Sequence, residues 1–120
     1  MKTKLGKILC FDIDNVICKT KRNDYKNSKP IHRNIKLINN FYFQGFFIKI
    51  FTARFIGRNN ENIFKAKKAG FDFTKGQLKK WGLKYDKLIF GKPSYDIFID
   101  DRCLFYKKNW HNTLIKFLKK

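Results

Sequence analysis

Apolar residues along this chain fall into short runs with two kinds of spacing. Residues 5–11, Leu-Gly-Lys-Ile-Leu-Cys-Phe, are mostly apolar and stop at Asp12. A near-continuous apolar run of this length predicts a buried strand. Residues 18–30 are polar and without period, which predicts a loop closed by Pro30. Ile31, Ile35, Ile38 and Phe41 or Tyr42 then recur at helical spacing, with Pro30 suited to the first turn and Gly45 to the stop. Phe46 to Phe51 predicts a second strand. Residues 52–60 predict a loop in which Asn59 or Asn60 caps a helix from about Glu61 to Ala69, halted by Gly70. A further helix is predicted from Thr74 to Trp81, ahead of Gly82. Leu88–Phe90 and Ile97–Ile99 predict two short strands. Asn109 to Lys119 predicts a terminal helix with Trp110, Leu114 and Phe117 on one side.

This alternation predicts an α/β fold: one domain over residues 1–120, with a mostly parallel sheet and helices on both faces. In such folds ligands sit outside the carboxyl ends of the strands. The useful question is therefore what each strand carries at that end.

The first strand runs into Asp12-Ile13-Asp14, the second into Thr52-Ala53-Arg54, and the last into Asp100-Asp101-Arg102. Gly91-Lys92-Pro93 precedes that last strand. The chain has only nine acidic residues, and four of them stand at two predicted strand ends. Adjacent carboxylates at the end of a buried strand repel unless a cation joins them. Oxygen-only ligands favour a hard cation such as Mg²⁺. Asp12, Asp14, Asp100 and Asp101 are thus the candidate metal ligands. Lys92 and Thr52 supply a charge and a hydroxyl for a phosphoryl group. The spacing of Asp12 and Asp14 places both side chains on one side of an extended backbone. Arg54 and Arg58 are candidate substrate contacts.

Taken in order, these residues resemble the four motifs of the haloacid dehalogenase (HAD) superfamily of phosphohydrolases: Asp12-x-Asp14, Thr52, Lys92 and Asp100-Asp101. The likeness spans about residues 5–105, and Val16 departs from it where many members carry Thr. The resemblance implies a Rossmann-like core and a Mg²⁺-dependent phosphatase. In that scheme Asp12 is the nucleophile and forms an aspartyl-phosphate, and Asp14 serves as acid and then base. Thr52 and Lys92 hold the phosphoryl oxygens, helped by backbone N–H groups after Asp12. Neither 15–51 nor 53–91 has room for a cap domain, so the site should be open. The length, the Gly-Lys-Pro-x-Tyr-Asp run and the Ile-Asp-Asp-Arg ending narrow the likeness. They resemble short phosphatases found with bacterial capsule and surface-polysaccharide biosynthesis, and imply a sugar-phosphate substrate.

Composition modifies this picture in three ways. Hydrophobic residues make up 43% and include 14 Phe, enough for a packed core. The formal charge of +19 attracts polyanions, which keeps a nucleic-acid partner and a polynucleotide 3′-phosphatase as the alternative reading. However, the basic residues are 23 Lys and five Arg spread over the whole chain, a pattern that background bias toward an AT-rich palette also produces. A non-catalytic phosphate-binding protein is the third reading. No run is long enough for a membrane span, and the basic start fails as a signal peptide because Asp12 and Asp14 break the apolar run. The expectation is a cytoplasmic protein, with a homo-oligomer possible. Cys10, Cys18 and Cys103 lack metal or disulfide spacing and read as thiols, with Cys10 in the core.

Overall fold

The computed structural model describes residues 7–119. Strand β1, Ile8–Phe11, pairs in parallel with β4, Phe47–Thr52, which pairs in parallel with β5, Lys87–Phe90. The sheet order is β1-β4-β5. Between β1 and β4 lie a small antiparallel ladder of β2, Cys18–Lys19, with β3, Lys29–Pro30, and then helix α1, His32–Phe43. Helix α2, Ile63–Lys80, connects β4 to β5, and α3, Trp110–Leu118, follows the last long loop. This is a small α/β structure with a three-stranded parallel sheet.

The register explains where the core lies. Leu9 pairs with Ile48, and Phe11 with Ile50, which in turn pairs with Leu88. These residues share one face. That face meets Ile35, Ile38 and Phe41 of α1, Leu78 of α2 and Trp110 of α3 in a single cluster. The opposite face carries Ile8, Cys10, Phe47, Lys49 and Ile89, all exposed or half-exposed. Among the described residues α1, α2 and α3 all join the cluster on this one face, so the helices on both faces expected from the sequence are not found among them. Strands that alternate buried with half-exposed positions leave one face open, as Lys49 and Lys87 suit. Cys10 lies on that open face rather than in the core, while Cys18 is buried; all three cysteines are free thiols.

Both long helices stop where glycine allows. After α1, Gly45 takes φ +101°, Gly45 N–H donates to Tyr42 O at 3.1 Å and Phe46 N–H to Phe41 O at 3.1 Å. After α2, Gly82 takes φ +77°, with Leu83 N–H donating to Leu78 O at 3.1 Å. This is the left-handed cap that satisfies the last carbonyls.

Two further expectations need correction. The predicted break at Gly70 does not occur, and one helix of 18 residues replaces two. Gly70 is there for contact: a Cβ on it would stand 2.1 Å from the ring carbons of Phe55. The cap is Asn62, whose side chain accepts Lys65 N–H at 2.9 Å, because Asn60 and Glu61 are spent in left-handed backbone.

The second correction concerns Ile97–Ile99, which form no strand. Ile97 is 79% and Ile99 92% exposed. A strand of three apolar residues is short, and Asp96, Asp100 and Asp101 flank it. Laid against the sheet it would carry more carboxylates toward Asp12 and Asp14, and such repulsion opposes a ladder that small.

Candidate active site at the carboxyl ends of the strands

Asp12 follows β1 directly. Its Oδ1 accepts Ile13 N–H at 2.7 Å, and its Oδ2 faces Lys92 Nζ at 3.1 Å. Ile13 is fully buried and anchors the turn, since its carbonyl accepts N–H groups of Val16, Ile17 and Cys18. Asn15 adopts φ +67° to close this turn. The result is that Asp12 and Asp14, either side of a core residue, line one cavity of about 480 Å³.

Lys92 reaches Asp12 because Gly91 turns the chain at φ +105° and Lys92 N–H donates to Thr52 O at 3.2 Å. Glu61 holds the next turn, accepting from Ser94 N at 3.1 Å and Ser94 Oγ at 3.0 Å. Burial pushes the Asp12 carboxyl above its usual range, and the charge and hydrogen bond of Lys92 pull against that rise. Burial also works against the Lys92 ammonium. Tyr95 and Asp12 outweigh it and hold Lys92 above its ordinary value.

Asp14 has a different environment. Arg54 Nε donates to Asp14 Oδ2 at 3.0 Å, and Arg54 Nη2 to Oδ1 at 2.9 Å. Thr20 Oγ1 adds a donor at 2.6 Å. Arg54 is only 1% exposed. Its Nη1 donates to Gln77 Oε1 at 2.6 Å, Gln77 in turn donates to Tyr25 O at 2.8 Å, and the Tyr25 ring lies 4.8 Å from the guanidinium. Thr52 is fully buried, and its hydroxyl accepts Arg54 N–H at 3.0 Å.

The structure therefore gathers Asp12, Asp14, Arg54, Arg58 and Lys92 around one cavity. Thr52 sits at the end of β4 with its hydroxyl committed to the backbone beside it. Asp100 and Asp101 are not gathered: both are exposed, Asp101 lies 4.0 Å from Arg102, and Asp100 accepts Arg102 N–H at 3.0 Å. Among the described residues, no three His, Cys, Asp or Glu side chains stand together as a metal site. Tyr25, Asn23 and Phe55, which the sequence did not single out, also line this cavity, as does Tyr95 of the Gly-Lys-Pro-x-Tyr-Asp run. The one available signal was composition. Tyr25 is the only aromatic in the polar stretch 18–30, and Phe55 interrupts a polar loop.

No family model and no curated protein matches the chain. Among solved structures, a crystal structure of an MCSG target protein from Vibrio cholerae is similar to it. The TM-score is 0.76 at 25% identity, and the match covers 93% of this chain and 98% of that one. The likeness thus runs through nearly the full length of both chains. No helix among the described residues is long and apolar enough to cross a membrane.

Proposed function

We propose that the protein is a phosphomonoester hydrolase of the HAD type, with Asp12 as the nucleophile. The observation that carries this reading is the pair Asp12 and Lys92. A carboxylate at the end of β1 lies 3.1 Å from an ammonium carried by the turn after β5, and both open onto the same cavity. Phosphoryl transfer asks mainly for positioning and charge neutralisation. Lys92 neutralises an incoming phosphoryl oxygen, and the Ile13 N–H orients the Asp12 carboxylate through Oδ1. Asp12 Oδ2 then attacks phosphorus, the ester oxygen leaves, and the phosphoryl group passes to the carboxylate. The leaving oxygen takes its proton from water in the open cavity; the Asp14 carboxylate, oriented by Arg54 and Thr20, then takes a proton from a second water, whose oxygen attacks the phosphorus and breaks its bond to Asp12 Oδ2, so that inorganic phosphate leaves and the Asp12 carboxylate is restored.

Magnesium belongs to the same reading. A hard divalent cation takes about six oxygen ligands. As placed, Asp12 and Asp14 are each engaged by a cationic side chain, and Asp100 and Asp101 stand in solvent. These residues do not fit the ion in this arrangement, so the chemistry above uses only side chains that line the cavity.

The test is direct. Incubation with a generic aryl phosphate and acid quenching should leave one phosphoryl group on the peptide that carries Asp12. Asp12→Asn should abolish both that adduct and turnover. Turnover that survives in Asp12→Asn refutes the reading.

A further inference from the structure

Beyond Asp12 and Lys92, the cavity has a second charged feature. Its lining includes three cations, Lys92, Arg54 and Arg58, and two acids, Asp12 and Asp14. The ion pairs Lys92–Asp12 and Arg54–Asp14 consume both acids. Arg58 remains, without a carboxylate partner among the described residues.

Arg58 is nonetheless held in place. Its guanidinium lies 4.7 Å from the Phe55 ring centroid and 5.1 Å from that of Tyr25. Its Nη2 donates to Asn23 O at 2.9 Å. The platform beneath it is costly to build. Phe55 takes φ +66°, a conformation that a bulky side chain rarely adopts. Asn23, which supplies the carbonyl, takes φ +64°, a left-handed turn that Asn accepts at little cost, so the strain lies at Phe55. The Phe55 ring packs 4.9 Å from Tyr25 and fills the space that Gly70 leaves. Strain of this kind persists where the surroundings over-determine it, and it clusters at binding sites.

Arg58, Tyr25, Phe55 and Asn23 also line a second cavity of about 460 Å³ with Lys26, Asp24 and Phe73. The Asp24 carboxylate there accepts from Asn27 Nδ2 at 2.9 Å, while Lys26 adds a further cation to the wall. The wall shared by the two cavities is therefore a stacked guanidinium with one N–H used and the rest of its fork unpaired among the described residues. Such a fork matches a carboxylate or a phosphate.

From this wall we propose that Arg58 is a subsite for a second anionic group on the substrate. The ester hydrolysed is then one whose leaving alcohol itself carries a carboxylate or a phosphate, not a neutral sugar. This rests on the phosphatase reading and narrows its substrate class.

The experiment uses matched esters and two readouts. Wild type is assayed with 6-phosphogluconate and sorbitol 6-phosphate, open-chain esters that differ only at C1, carboxylate against alcohol. Fructose 1,6-bisphosphate and fructose 6-phosphate differ by a phosphate. The expected kcat/KM preference for the doubly anionic member of at least one pair is about tenfold or more, the fold-change of one charge-assisted pair. The pair that shows it tells carboxylate from phosphate. Arg58→Ala should remove most of the preference, and Arg58→Lys should restore part of it. Lys116→Ala removes the same charge from α3 and should leave the ratio at the wild-type value, which separates the subsite from the general attraction of a +19 chain. Calorimetric binding of the same esters to Asp12→Asn, with and without Arg58→Ala, reads the subsite without turnover.

Equal kcat/KM and equal binding within both pairs overturn the subsite while leaving the phosphatase reading intact. So does a preference that Lys116→Ala lowers as much as Arg58→Ala. Absence of all hydrolysis with Arg58-dependent selective binding overturns the phosphatase reading and supports the subsite.

Discussion

Arg54 grips Asp14 through two parallel hydrogen bonds, at 3.0 and 2.9 Å, and does so from a position where its side chain has no exposed surface. Asp14 keeps 21% of its side chain in solvent. The two partners therefore differ in what they lose when left alone. Asp14→Ala strands a buried guanidinium, and breaking a pair of that kind costs about 3–5 kcal/mol. Arg54→Met leaves a carboxylate that water can still reach, and should cost less. Urea titrations of both variants should rank Asp14→Ala as the more destabilised; the reverse ranking would mean that Gln77 and Tyr25 suffice to carry the charge of Arg54. Arg54→Lys should not rescue, because a point charge cannot make the fork.

The raised Asp12 carboxyl gives a pH prediction. A nucleophilic carboxylate must be ionised, so kcat/KM should rise with pH through an apparent value above the ordinary carboxylate range of about 4. Lys92 opposes the upward shift by charge and by hydrogen bond. Lys92→Met should therefore move this acidic limb to still higher pH, in addition to weakening substrate. A limb that stays in place while the rate falls would show that Lys92 acts on substrate alone. The pH–rate profiles of wild type and Lys92→Met are the measurement.

Two glycines in α2 should respond in opposite ways to the same change. A Cβ on Gly76 meets nothing within 4 Å, so Gly76→Ala should stabilise by about 1 kcal/mol through helix propensity. A Cβ on Gly70 would stand 2.1 Å from the Phe55 ring, so Gly70→Ala should destabilise by about 1–3 kcal/mol, the usual cost of overpacking. Thermal melts of the two variants check the pair. If Gly70→Ala melts at or above wild type, Phe55 is free to leave its place, and the platform under Arg58 is softer than described.

Magnesium is testable apart from turnover. Asp100 and Asp101 are exposed and Ile97 and Ile99 bare, so the ion requires this segment to come to Asp12. If the segment moves so, millimolar Mg²⁺ raises the melting temperature and slows amide exchange across 97–101, and Asp100→Asn removes both effects. At a hundredfold excess over Kd the stabilisation is about 2.7 kcal/mol. An unchanged melt and unchanged exchange would take the metal out of the scheme.

The sequence by itself determined the succession of β1, α1, β4, β5 and α3, the glycines that end α1 and α2, and the strand-end positions of Asp12 and Thr52. These are legible because they depend on local periodicity and on backbone freedom, which a few neighbouring residues set. Asp12 is legible as a strand end and Lys92 as part of the Gly-Lys-Pro run ahead of the last predicted strand; these residues are 80 apart, and the parallel order β1-β4-β5 brings them to 3.1 Å. What the tertiary structure decided is of another kind. Gly70 looked like a stop and is a contact, because the ring that needs its space comes from Phe55, which folds back onto α2 from the loop before it. Arg54 looked like a substrate contact and is buried, because Asp14 and Gln77 both reach it. Tyr25 looked like part of a featureless loop and is the floor under two guanidinium groups. Ile97–Ile99 looked like a strand and is bare, because apolar pattern alone carries no account of the charges on either side. Each of these depends on which side chains meet across the fold, and no local stretch of sequence encodes that meeting.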